Sequence, residues 1–138
     1  MLVVTNQHLE FTFDPETFRW SLKPADGAWP AVLGASFGAQ LKRADGAALR
    51  WEGQSACHEA ESAELNPARL PSGPGVRAAV LLAESSLRLE VEFLLPPTAR
   101  HLLWRARLTN VSNQIWNWRE LDLAVIGSRF GRAGDAAR

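Results

Sequence analysis

The sequence is short of the features that mark several protein classes. It has one cysteine, Cys57, so no internal disulfide can form. It has no excess of either charge: 15 Lys and Arg balance 15 Asp and Glu. That balance argues against nucleic acid or an anionic membrane as a partner, because both need a basic surface. Lysine is confined to Lys23 and Lys42, an arginine preference better assigned to genome composition than to function. No apolar run approaches the roughly 20 residues of a membrane-spanning helix. The opening MLVVTNQHLEF has no basic segment, long apolar segment or small-residue cleavage site, so no secretory signal is expected and a cytoplasmic location is. His8, His58 and His101 are scattered, and no spacing sets two of them on one face of an element, so no metal site is expected. Cys57 and His58 are adjacent and would point apart on a strand, which disfavours a nucleophile–base pair. There is no nucleophile elbow and no glycine-rich phosphate loop, and no cofactor is implied. Asn110-Val111-Ser112 fits a glycosylation sequon but, without a secretion signal, reads as a turn.

What is present is period-two alternation. The chain of 138 residues is 46% hydrophobic, enough for one domain with its own core. Leu9, Phe11 and Phe13 alternate with polar residues, Asp14-Pro15-Glu16 turns the chain, and Phe18, Trp20 and Leu22 alternate on the way back. Ala25-Asp26-Gly27 is the next break. Residues 31–43 hold Gly34 and Gly38 between apolar positions, the pattern of a bent or bulged strand. After the turn Ala44-Asp45-Gly46, Leu49 and Trp51 alternate again. Residues 55–65 fit either a polar edge strand or a short helix, and 66–75, rich in Pro and Gly, read as a loop. Residues 76–83 are apolar on both faces, as in a covered central strand. Leu87, Leu89, Val91 and Phe93 form one alternating set, Leu102, Trp104, Ala106 and Leu108 the next, and Leu121, Leu123 and Val125 the last. Nine or ten short strands without helical periodicity predict an all-β fold, an antiparallel β-sandwich spanning residues 1–127, followed by a mobile tail over 128–138.

The stretch LRLEVEFLLPPTARHLLWRARLTNVSNQIWNWRELDLAVIG carries a resemblance. A long strand runs into the Asn-containing turn Leu108-Thr109-Asn110-Val111-Ser112-Asn113, and the next strand alternates acids and aliphatics in Glu120-Leu121-Asp122-Leu123. With Leu33-Gly34-Ala35 and Gly38-Ala39-Gln40-Leu41 nearer the start, this resembles the N-terminal β-sandwich of α-galactosidase and raffinose-synthase-type glycoside hydrolases. The resemblance implies a galactose-mutarotase-like supersandwich or part of one. It also implies that the two catalytic aspartates lie in a separate (β/α) barrel that follows, so no catalytic residue carries over to this chain. The expected role is that of a non-catalytic accessory domain packing on such a barrel or on another copy of itself. A free-standing carbohydrate-binding module taking a galactoside and a small mutarotase-like enzyme are the alternatives.

Two constellations bear on these readings. Glu90 and Glu92 share a strand face, roughly 6.5–7 Å apart, within the separation used by inverting glycosidases. A register placing Glu90 opposite Arg107 and Glu92 opposite Arg105 also sets Phe93 against Trp104, Val91 against Ala106 and Leu89 against Leu108. Every inward pair is then apolar and every outward pair is of opposite charge, which reads the two acids as structural. For a mutarotase, His101 with Glu90 or Glu92 is the one loose candidate. Trp116 and Trp118 form the second constellation. Extending the frame of Leu121, Leu123 and Val125 backwards turns both outward, beside Glu120 and Asp122, as a sugar platform or an interface patch, with Arg105 and Arg107 laid against them. A bulge near Asn117 would instead flip the frame and bury both. Trp20, Trp51 and Trp104 are expected in the core, and Trp29 as a plug under a loop.

Overall fold

Alternating large apolar and polar residues can satisfy both burial and backbone hydrogen bonding only by pairing in sheets, and the chain does so throughout. The computed structural model describes residues 1–27, 31–52, 59–82, 87–125 and 130–131, with the backbone alone at 39, 49, 52, 118–125 and 130–131. Trp29, Cys57, His58 and most of the tail after residue 127 lie outside the described residues. The elements are β1 (Leu2–Thr5), β2 (Leu9–Asp14), β3 (Arg19–Pro24), β4 (Ala31–Arg43), β5 (Ala48–Glu52), β6 (Glu59–Leu65), β7 (Gly73–Leu82), β8 (Leu87–Leu94), β9 (Leu103–Asn110), β10 (Trp116–Val125) and β11 (Phe130–Gly131). All pairings are antiparallel. The all-β, sandwich-like fold expected from the sequence is what forms. Among the described residues no helix is long and apolar enough to cross a membrane.

One sheet has seven strands in the order β1-β2-β3-β4-β10, with β5 and β11 also paired to β4; the other has four, in the order β6-β7-β8-β9. β4 is the hinge of the larger sheet. Gly34 adopts a φ of +62°, and β4 carries an extra residue there against β3, with Trp20 opposite Ala35 but Leu22 opposite Val32. Such a bulge bends a strand. The first half of β4 pairs with β3 and β11, and the second half with β10 and β5.

The two sheets meet through their aromatic residues. Phe93 from the smaller sheet is fully buried and sits among Phe11 (4.7 Å between ring centroids), Trp20 (5.7 Å), Phe13 (5.8 Å) and Phe37 (6.0 Å) of the larger one. Val76, Ala78, Val80, Leu87, Leu89 and Val91 complete its side of the core. Burying each such side chain contributes about 1.5–3 kcal/mol, so this shared layer is the main attraction between the sheets. A polar latch supplements it at one end. The Asn6 Nδ2 donates to the Pro96 and Ala99 carbonyls at 2.8 and 2.9 Å, while its Oδ1 accepts the His8 and Leu9 amides.

Several expectations are refined. Residues 59–65 are an edge strand rather than a helix, because pairing with β7 outweighs helix propensity. The loop expected over 66–75 ends at 72: Gly73-Pro74-Gly75 belongs to β7, where the missing Cβ of Gly75 makes room for Leu65 and the Phe93 carbonyl. Trp20 is buried and Trp51 half-buried against the core, but Trp104 is 38% exposed, packed on Trp20 at 5.6 Å. Its strand is the last of its sheet, so nothing covers its outer flank among the described residues. Residues 130–131 form a short strand on β4.

Candidate functional site

The outer face of the four-stranded sheet gathers charged residues from all four of its strands. Because each residue on one face of a strand recurs at every second position, the register lines up charged rows across all four strands. One row reads Glu61, Arg77, Glu92, Arg105, and the row beside it Glu59, Ala79, Glu90, Arg107. This is the β8–β9 register anticipated from the inward apolar pairs: Phe93 faces Trp104, Val91 faces Ala106 and Leu89 faces Leu108.

The acids of these rows are held. Glu92 accepts from Arg105 through Nη2 at 2.8 Å and Nε at 3.0 Å, and from Arg77 Nε at 3.4 Å. Arg77 also reaches Glu61 at 3.3 Å. Glu90 is not taken by Arg107, the residue directly opposite, but by Arg88 on its own strand at 2.7 Å, and Arg88 continues to Glu59 at 3.2 Å. Those contacts, the Glu90 hydrogen bond first, raise the Arg88 guanidinium above its ordinary value. Ala79, small and buried in the middle of the face, lets the surface dip into a shallow depression of about 680 Å³ walled by Glu59, Glu61, Arg77, Arg88 and Glu90.

One corner of the same face is apolar. Leu65 and Leu94 are buried, Leu70 is 49% exposed, and with Leu103 they line a hollow of about 110 Å³ beside Glu92 and Arg105, bordered by Trp104, whose side chain belongs to the inward frame. Periodicity alone did not single out this corner. Leu94 and Leu103 lie in the outward frame of their strands, next to turns, where aliphatics look incidental, and only the β6 and β7 register brings Leu65 to them.

The residues of the tryptophan constellation are divided between the two sheets. β10 pairs with β4, and β9 with β8, so Arg105 and Arg107 stand in one sheet while Trp116, Trp118, Glu120 and Asp122 stand in the other. Trp116 is half-buried and packs on the core. The cause is a bulge, as one of the weighed alternatives required, but centred on Arg119 rather than Asn117. Trp118 pairs with Leu41 and Glu120 with Gln40, so Arg119 is the extra residue. It sets Trp116 opposite Arg43 and Trp118 opposite Leu41, and Glu120 and Asp122 opposite Gln40 and Gly38. The side chains of Trp118, Glu120 and Asp122 lie outside the described residues. A cation does cover Trp116, but it is Arg43, 5.8 Å from the ring centroid. The Trp116 indole N–H is buried without a hydrogen-bond partner among the described residues.

His101 sits exposed in the β8–β9 connection, and among the described residues no hydrogen bond or ion pair joins it to Glu90 or Glu92. No three His, Cys, Asp or Glu side chains among the described residues are grouped as metal ligands. The chain matches no protein-family model, no curated protein and no solved structure.

Proposed function

We propose that this chain is a non-catalytic accessory domain. It is of the kind that precedes the catalytic barrel in α-galactosidase and raffinose-synthase-type glycoside hydrolases, and it docks on its partner through the outer face of the four-stranded sheet. The observation that carries this reading is the engagement of Glu90 and Glu92. They are the one carboxylate pair with hydrolase-like spacing singled out in the sequence. Both oxygens of Glu92 accept from guanidinium groups, and Glu90 is held by Arg88 at 2.7 Å. Carboxylates fixed in charge-assisted bonds serve the sheet and are poorly placed to protonate a leaving group. The same face combines an apolar corner, with half-exposed Leu70 beside Leu65, Leu94 and Leu103, and a polar field of paired charges. That mix of an apolar patch with a polar surround is the composition of interfaces between domains.

The test is twofold. The chain alone leaves p-nitrophenyl α-galactoside, melibiose and raffinose uncleaved, and galactose does not quench its tryptophan fluorescence. Added to an α-galactosidase barrel stripped of its own N-terminal sandwich, it co-migrates with the barrel on size exclusion, and Leu70→Asp abolishes co-migration without lowering the melting temperature. Hydrolysis by the chain alone that disappears in Glu90→Gln would overturn the accessory role. Saturable quenching by galactose would favour the carbohydrate-binding alternative.

A further inference from the structure

The two edges of the four-stranded sheet carry opposite charge. At one edge β6 presents Glu59 and Glu61, whose side chains are 65% and 61% exposed. At the other edge β9 presents Arg105, 63% exposed, and Arg107, to which no ion pair is made among the described residues. Both pairs project from the same face of the sheet, at the same spacing of two residues. Among the described residues neither edge has a further strand hydrogen-bonded to it. Both edges are regular: β6 keeps seven consecutive register pairs with β7 and β9 keeps eight with β8, without a bulge. Unbroken edges of that length are templates for another strand, and natural sheets usually guard them with bulges, prolines or charge.

We propose that the occupant of these edges is a second copy of this chain, with β9 of one copy pairing antiparallel to β6 of the next so that the four-stranded sheet continues across molecules. Strand direction permits it: three successive antiparallel steps leave β6 and β9 running oppositely within a copy, so β6 of the next copy lies antiparallel to β9. Setting Arg105 opposite Glu61 of the next copy sets Arg107 opposite Glu59 of the next copy. The row Glu61–Arg77–Glu92–Arg105 then meets another glutamate, and its alternation of sign runs on unbroken. On the inner face the same register sets Ala106 opposite Ala60, both half-buried against the core, and Trp104 opposite Ser62. No two large side chains oppose one another.

The charges also specify the pairing. β9 against β9 would set Arg105 opposite Arg107, and β6 against β6 would set glutamate opposite glutamate, so each edge repels itself and accepts only the other. The contact is therefore heterologous, and it grows into a series of species or closes into a ring instead of stopping at a two-fold dimer.

Sedimentation velocity over a concentration series is the experiment, on the intact chain at low and at raised salt. The expected result is a mass that climbs with concentration, with an apparent association constant falling roughly tenfold as salt screens the edge charges. Arg105→Glu with Arg107→Glu, and separately Glu59→Arg with Glu61→Arg, each yield monomers. Mixing the two variants restores association, because each acidic edge again meets a basic one. Circular dichroism and thermal melts confirm that the variants are folded. Should the doubly altered chains not fold, Arg107→Glu alone, which breaks no ion pair among the described residues, still weakens association. A wild-type chain monomeric at every concentration and salt overturns the proposal. So does association that survives in both folded variants, is lost only in the arginine variant, or fails to return on mixing.

Discussion

At the scale of single residues, the hairpin between β2 and β3 shows how a few side chains hold a costly backbone. Phe18 has a φ of +56°, a region that bulky residues avoid, yet it is fully buried. Its ring is held by Phe13 and Phe37, each 5.5 Å away, and by Trp51 at 5.9 Å. The turn that delivers it is tied by Asp14, whose carboxylate accepts the Thr17 hydroxyl at 2.8 Å and the Glu16 amide at 3.0 Å. These bonds, Thr17 first, hold the Asp14 carboxyl below its ordinary value of 3.8. A carboxyl depressed in the folded state stabilises fully above its unfolded value and loses that contribution as pH falls through its lower folded value. The stability difference between wild type and Asp14→Asn is therefore greatest above pH 4 and shrinks as the solution is acidified below 3.8. Melting temperatures measured across that range check it, and a difference that grows on acidification would contradict the assignment.

At the scale of elements, the informative places are where regular alternation is broken. β4 bends at Gly34 and so serves two pairs of neighbours. β10 absorbs Arg119 as a bulge and so turns Trp116 toward the core. β7 admits Gly75 in its middle because β6 and β8 crowd it there: an added Cβ would lie 2.5 Å from Leu65 Cδ1 and against the Phe93 carbonyl. The Leu65 methyl can move, but the Phe93 carbonyl is fixed in the β7–β8 ladder. Gly75→Ala is expected to destabilise the fold by about 1–3 kcal/mol, the usual cost of overpacking, read as a lower urea midpoint at unchanged slope. Gly73→Ala, whose nearest neighbour would be Pro97 Cδ at 3.1 Å, should cost less.

At the scale of the whole molecule, one residue reports whether the two sheets are joined. Phe93 contacts aromatic rings from β2, β3 and β4 at once. Phe93→Ala should destabilise by about 3–5 kcal/mol, because rings fixed in two separate sheets cannot collapse into the space left behind. Denaturant unfolding measures this, and a loss below about 1 kcal/mol would mean that the sheets are joined elsewhere. The charges of the outer face belong to the same scale but to a different task. Exposed ion pairs stabilise little, so the alternating rows matter more for selecting what approaches the face and edges than for folding.

Much of this was legible in the order of residues. Alternation at Leu9–Phe13, Leu87–Phe93 and Trp104–Leu108 determined the strands and their inward faces, since burying one side of a pleated strand admits a single phase. The β8–β9 register followed too, because apolar pairs inside and opposite charges outside are satisfied together. β1 was not legible, because Leu2 and Val4 provide too short an alternation to distinguish a strand. What only tertiary structure decided was partnership. β10 left β9 for β4, Trp116 turned inward, Glu90 took Arg88 rather than Arg107, and Leu65 came to rest over Gly75. Periodicity states which face of a strand is dry, but neighbours, bulges and the ion pair finally made depend on how distant segments compete for the same edge and the same volume.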